Sequence, residues 1–335
     1  MIKKYKYYFV ITPLLLFLSI YFIGCDNKKN NFENQWALSN TGQEVNGQVG
    51  TPGIDINFNN VWKITNGSPD ITVAIVDSGI DSLSSDLKGK ITADSWDFYN
   101  NDDSIYDSYK SDYHGTYIAN TIAGVDKKNN IYGVAPNISL LSGKFMQGTS
   151  GSSAKAILAL KHVCEKGADV VNCSWNFNKY NPEMFEVIKD NPDTLFICAA
   201  GNSNVNLDEK NIYPACFELD NILTVMAVDN NAQICSSSGY GKKVDIAAPG
   251  KDIISTLPEN DSTYVSGTSV ATAYVSGIAS LMLSIDKTLT PGEVKEIIVN
   301  TAKKTESLEN KNNASGIINA YACVKYISNK ERDYE

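Results

Sequence analysis

The chain has 335 residues, 43% of them hydrophobic and 20% charged, enough to bury one large core or two modest ones and unlike a disordered protein. Its net charge is −9 and no long basic run lies outside the N-terminus, which disfavours nucleic acid as a partner. The acidity reads as solubility, with a weak bias towards cationic partners.

The chain opens as a targeting segment. Lys3, Lys4 and Lys6 precede an apolar run over 7–23 that is broken only by Thr12, Pro13 and Ser19. Phe22-Ile23-Gly24-Cys25 then resembles a bacterial lipobox, with Cys25 the lipidated residue and Phe22 where leucine is usual. An uncleaved anchor or an ordinary signal peptide are the other readings, and the segment exports the rest of the chain in each. The expected organisation is a lipoprotein signal peptide over 1–24, a polar tether over 25–34, one folded domain over 35–328 and a polar tail over 329–335. Six further cysteines have no metal-like spacing. Cys173 and Cys198 lie in apolar strands and read as small buried hydrophobes rather than disulfide partners.

Short β-branched runs at 71–76, 138–141, 170–173, 195–198, 222–228 and 244–247 are bounded by Gly, Asn, Asp or Pro, as buried parallel strands are. Helices fall between them. The stretch 152–166 starts on serine and stops at Gly167, and 270–283 is small and apolar throughout. Thr290-Pro291-Gly292-Glu293 has a capping threonine, proline in the first turn and a glutamate three on, and 317–327 closes the chain. Alternating strands and helices predict a three-layer α/β fold with a parallel sheet, whose ligands bind beyond the carboxyl ends of the strands.

Three motifs carry chemistry. Val73-Ala74-Ile75-Val76-Asp77-Ser78-Gly79 puts a carboxylate at a strand end, with Asp81 and Asp86 as nearby competitors for its role. Asp112-Tyr113-His114-Gly115-Thr116 places an imidazole at a helix start, and Ser266-Gly267-Thr268-Ser269-Val270-Ala271 does the same for a hydroxyl. A serine nucleophile needs a base to take its proton and an acid to orient that base. The chain has two histidines. His162, between lysines near a helix C-terminus, reads as structural, which leaves His114 as the base.

Asp77, His114 and Ser269, in that order, resemble the motifs of subtilisin-like serine proteases, the subtilases. The resemblance extends from about Gln35 to Ile327 through Gln35-Trp36-Ala37-Leu38, Gly133-Val134-Ala135-Pro136, Ile212-Tyr213-Pro214-Ala215 and Ala247-Ala248-Pro249-Gly250. It implies a serine endopeptidase in which Asn202 donates to the oxyanion. It also implies that Ser174, Trp175, Asn176, Gly201 and Ile212 line the primary pocket, and that Asp112 borders the neighbouring subsite. Cleavage after small or medium uncharged residues follows, with a mild preference for Lys or Arg one position earlier. The chemistry requires no cofactor; a structural calcium at Asp86 is opposed by Lys127 and Lys128 in the adjoining loop.

Four departures stand out: Ala273-Tyr274 for the usual Pro and His, Tyr117 for a second histidine, Asn120 for glycine, and Asn176-Phe177 for Gly-Gly. About ten residues between Cys25 and Trp36 leave no room for the usual prodomain. The expected partners are a peptide or protein substrate and, through the lipid, the outer face of a bacterial membrane, with the protein a monomer. The competing reading is a catalytically silent subtilase-fold lipoprotein that binds peptides or surface proteins.

Overall fold

In the computed structural model, residues 32–332 are described; Cys25 and the expected signal peptide lie outside them. Nine strands form one sheet. In chain order they are β1 (Thr72–Asp77), β2 (Trp96–Asp97), β3 (Ser139–Lys144), β4 (Val170–Cys173), β5 (Leu195–Ala199), β6 (Ile222–Val228), β7 (Ile246–Pro249), β8 (Lys303–Lys304) and β9 (Gly316–Ile317). They lie in the order β8-β9-β7-β6-β5-β4-β1-β3-β2, and every pairing is parallel except β8 with β9.

Side chains alternate between the two faces, so the central strands serve two cores. Val73, Ile75, Ile197, Leu223, Val225 and Ile246 pack with helices α1 (Tyr109–Ala123), α4 (Thr268–Ile285), α5 (Pro291–Asn300) and α6 (Ala320–Arg332). Ala74, Val76, Val171, Phe196, Met226 and Val228 pack with α2 (Ser153–Glu165) and α3 (Pro182–Lys189) on the other face. Each fully buried Val, Leu, Ile or Phe contributes about 1.5–3 kcal/mol. The three-layer α/β architecture is as expected.

Local chemistry sets the helix ends. The Ser108, Ser152 and Asn181 side chains cap α1, α2 and α3, and Thr290 with Glu293 closes a full capping box on α5. Helix α4 is apolar and long enough to span a bilayer, yet it is a core helix, buried from Thr268 to Leu283.

Three expected boundaries move. Phe32 is buried and meets Phe58, Trp62 and Tyr132 edge-to-face, so the packed core reaches into the expected tether. The last helix starts at Ala320 rather than 317, since Ile317 pairs with Ala247 in the sheet. It then runs through Arg332, past the expected start of the tail. The six described cysteines are free, as their apolar settings imply, and burial pushes the thiols of Cys235 and Cys323 up to about 12.

Candidate active site

The sheet changes direction at β1, which pairs with β3 on one side and β4 on the other. A crevice beyond the carboxyl ends of the strands is the expected ligand site at such a switch point. Asp77 is the last residue of β1, Ser174 follows β4, and Gly201-Asn202 follows β5 by two residues.

Asp77 is fully buried. Its Oδ1 accepts the Ser78 N–H at 2.6 Å and faces His114 Nδ1 at 2.7 Å, while Oδ2 has no partner. The carboxylate thus holds a proton on Nδ1 and leaves Nε2 as the basic nitrogen. Helix α1 can bring His114 this close because Gly115 is bare: a Cβ there would lie 2.1 Å from the Gly79 carbonyl oxygen. The Gly115 N–H donates to Ser78 Oγ at 3.0 Å, which ties the helix to the strand-end loop.

Ser269 is the second residue of α4, so its backbone N–H has no intrahelical acceptor. Gly267 caps the helix at φ +147°, where a side chain is strained, and a Cβ there would sit 3.2 Å from Asn202 Nδ2. Asn202 Oδ1 accepts from Thr268 N at 2.9 Å and from Thr268 Oγ1 at 3.1 Å. Those two bonds fix the amide orientation and leave Nδ2 as a donor beside Ser269. Ser269 Oγ itself donates to the Ser174 carbonyl at 3.1 Å, and Ser174 Oγ returns a bond to the Ser269 carbonyl at 3.0 Å. Asn172 and Ser276 continue this network into the core.

Tyr117 joins the two halves. One turn beyond His114, its ring meets the imidazole edge-on at 4.9 Å, and it is almost wholly buried. Burial, and then the charge of Asp77 and the neighbouring Tyr113, push its phenol well up, while an interaction with the Ser269 side chain opposes the shift. His162 instead sets Nε2 against the Asp94 carbonyl at 2.7 Å. Asp81 accepts backbone N–H groups from Leu83 and Glu259, and no bond links it to either histidine.

Asp112 departs from its expected place at a substrate subsite. It is fully buried: Oδ1 lies 3.0 Å from Lys144 Nζ, and Oδ2 accepts the N–H groups of Asp107 and Ser108. Lys144, also fully buried at the end of β3, further pairs with Asp97 at 3.3 Å and with Asp107. Burial raises the Asp112 carboxyl, and its hydrogen bonds and Lys144 only partly offset this. Burial alone would lower Lys144, but the carboxylates outweigh it and the ammonium persists. Sequence reasoning missed Lys144. The available signal was a lysine ending a strand otherwise free of charge, with aspartates at 97, 107 and 112 to receive it.

Asp86 is buried with Oδ2 unpartnered, a feature that would suit a cation. Its carboxyl is raised, first by burial and then by Asp126. However, Asp126 already accepts from the Lys128 and Asn129 N–H groups and the Asn129 amide. Among the described residues no group of three or more His, Cys, Asp or Glu is placed to hold a metal ion. A hard cation takes six to eight oxygens; these carboxylates are a poor start towards that set.

An aspartate-oriented histidine, a serine at a helix N-terminus and a side-chain amide bonded to the residue before it, on a parallel α/β sheet, fit a subtilisin-like serine protease. Comparison with known proteins agrees. The model of the Subtilase family matches residues 68–318. Subtilisin DY of Bacillus licheniformis is 33% identical over 240 residues, covering 69% of this chain and 82% of that one. Thermitase of Thermoactinomyces vulgaris is 32% identical over 258 residues, covering 76% and 88%. Subtilisin-like protease 2 of Plasmodium falciparum is 30% identical over 272 residues, 75% of this chain but only 20% of its own length. A cold adapted subtilisin-like serine proteinase superposes with TM-score 0.67 at 25% identity, covering 85% of this chain and 96% of that one. The chain belongs to the subtilase family.

Proposed function

We propose that this chain hydrolyses internal peptide bonds with Asp77, His114 and Ser269, is exported, and is held at the outer face of a bacterial membrane by a lipid on Cys25. Substrate binding turns Ser269 Oγ from the Ser174 carbonyl to His114 Nε2, which takes the proton as Oγ attacks the peptide carbonyl. Asp77 keeps the imidazole in the required tautomer and stabilises the imidazolium. The new oxyanion receives the Ser269 N–H and Asn202 Nδ2, donors that are in place before charge develops. The imidazolium then protonates the leaving amine, and water, deprotonated by His114, releases the acyl group. The protein's own side chains carry each step. The observation that supports the reading most is the 2.7 Å contact between His114 and the fully buried Asp77, with Tyr117 packed edge-on to the imidazole and interacting with the Ser269 side chain.

Cleavage of an internally quenched peptide library by the wild type and not by Ser269→Ala is the expected result. A silent peptide-binding fold draws support from the Ser269 proton being directed at Ser174, and it predicts no cleavage by either. For the anchor, Cys25→Ser should release the protein from the membrane fraction or block precursor processing. Unchanged retention and size would point to a plain hydrophobic anchor.

A further inference from the structure

Strands β4 and β5 are parallel neighbours, so the segments 174–177 and 200–202 leave the sheet side by side. Both reach the nucleophile: Ser174 accepts the Ser269 hydroxyl, and Asn202 bonds to Thr268. A peptide carbonyl held by the Ser269 N–H and Asn202 therefore brings its own residue's side chain between these segments. That space is contested from two sides. A Cβ placed on Gly201 would lie 2.9 Å from Ile212 Cδ1 and 3.2 Å from Asn176 Nδ2. Two side chains thus converge on the Cα of Gly201.

Asn176 is exposed at the rim, but the segments around it are held. Phe177 and Tyr213 exchange backbone bonds at 2.7 and 2.8 Å, an isolated antiparallel bridge that fastens the Asn176 segment to the Ile212 segment. Trp175 is pinned by its indole N–H to the Val76 carbonyl at 2.7 Å, and it lies edge-on to Phe145 and Phe177. Tyr213 packs in turn on Phe217 and Tyr180. Ile212 is buried, so its side chain has no route outward. Overfilling such a wall forces off-rotamer side chains and backbone shifts.

We infer that Asn176 and Ile212 stopper the primary pocket, restricting the residue on the acyl side of the cleaved bond to Gly, Ala or Ser. This rests on the reading of Ser269 as the nucleophile and narrows it to a substrate class. An extra methylene in a site of fixed size discriminates by about 10–200-fold. Alanine should therefore exceed leucine or phenylalanine by at least about tenfold.

The test uses binding, so that it stands apart from turnover. Peptides differing only in their last residue (Gly, Ala, Ser, Leu, Phe or Lys) are titrated calorimetrically against Ser269→Ala. The expected result is binding of the first three at least about tenfold tighter than the rest, with Asn176→Gly or Ile212→Ala, added singly, raising the relative affinity for Leu and Phe about tenfold. Equal or tighter binding of the Leu or Phe peptide, no binding of the Ala peptide, or two added substitutions that both leave the ranking unchanged would overturn the inference. Failure of wild-type cleavage would instead overturn the catalytic reading, so the two failures are distinguishable.

Discussion

The two halves of the site are built differently. On the base side, Asp77 and His114 are already bonded, and the strand-end loop and helix start are interlocked around Gly79 and Gly115. Lys144 sits close by, shielded from water among three carboxylates. On the nucleophile side, the Ser269 hydroxyl is bonded to Ser174, and the Asn202 amide has its oxygen tied down and its nitrogen left as a donor. The groups that must hold one geometry throughout the reaction are fixed by buried charge. The groups that must meet a substrate keep bonds that a substrate can replace. In the proposed mechanism, preorganisation lies in the base and in the oxyanion donors, and movement is confined to one hydroxyl.

The sharpest test of that division removes one group from each side. Ser269→Ala and His114→Ala should each lower kcat by about 10⁴–10⁶, the range known for serine-protease triads, and the double variant should be no slower than the worse single. A much slower double variant would mean that the two halves act independently. Next in size is Lys144→Met, which leaves Asp97 and Asp112 buried without their cation. Urea unfolding should show a loss of about 3–5 kcal/mol, and an unchanged midpoint would remove Lys144 from the account of the base side. Asn202→Ala should lower kcat by about 10²–10³ with little change in KM, the magnitude known for such a donor in subtilisin. A change in KM alone would make Asn202 a binding group.

The smallest effect carries a sign. Asp86 is the counterpart of Asp112 without a lysine, and its carboxyl is raised by burial and by Asp126. The folded state then holds that proton to higher pH than the unfolded chain, whose aspartates titrate near about 3.9. Stability is lost as pH rises through the folded value. Asp86→Asn should therefore stabilise by about 1 kcal/mol at neutral pH, with the gain vanishing in acid. Melting curves with chelator and with added calcium check this; destabilisation that appears only with calcium would mark Asp86 as a cation ligand after all.

Much of this was legible in the sequence because it is local. Strand runs bounded by turn residues gave β4 and β6 residue for residue, and Thr290 with Glu293 announced the start of α5. Asp77 and Ser269 could be picked out because each sits at an element end, where backbone geometry leaves a mark, whereas His114, in the second turn of α1 rather than at the expected helix start, and Asn202, in the loop after β5, were found through their motifs. What escaped was long-range pairing. Nothing near Asp112 in the chain says that Lys144 faces it, so a buried ion pair was read as a subsite carboxylate. Phe32 looked like part of a polar tether because its ring partners are 26 to 100 positions away. The Phe177–Tyr213 bridge hid for the same reason.

The central claim is that Ser269 is a nucleophile activated by His114, and the mass of the protein after treatment with a fluorophosphonate tests it most directly. The account predicts one phosphonyl adduct, mapped to the peptide containing Ser269, lost in Ser269→Ala and formed far more slowly in His114→Ala and Asp77→Asn. Folded wild-type protein that gains no adduct, or gains it on another residue, would contradict it.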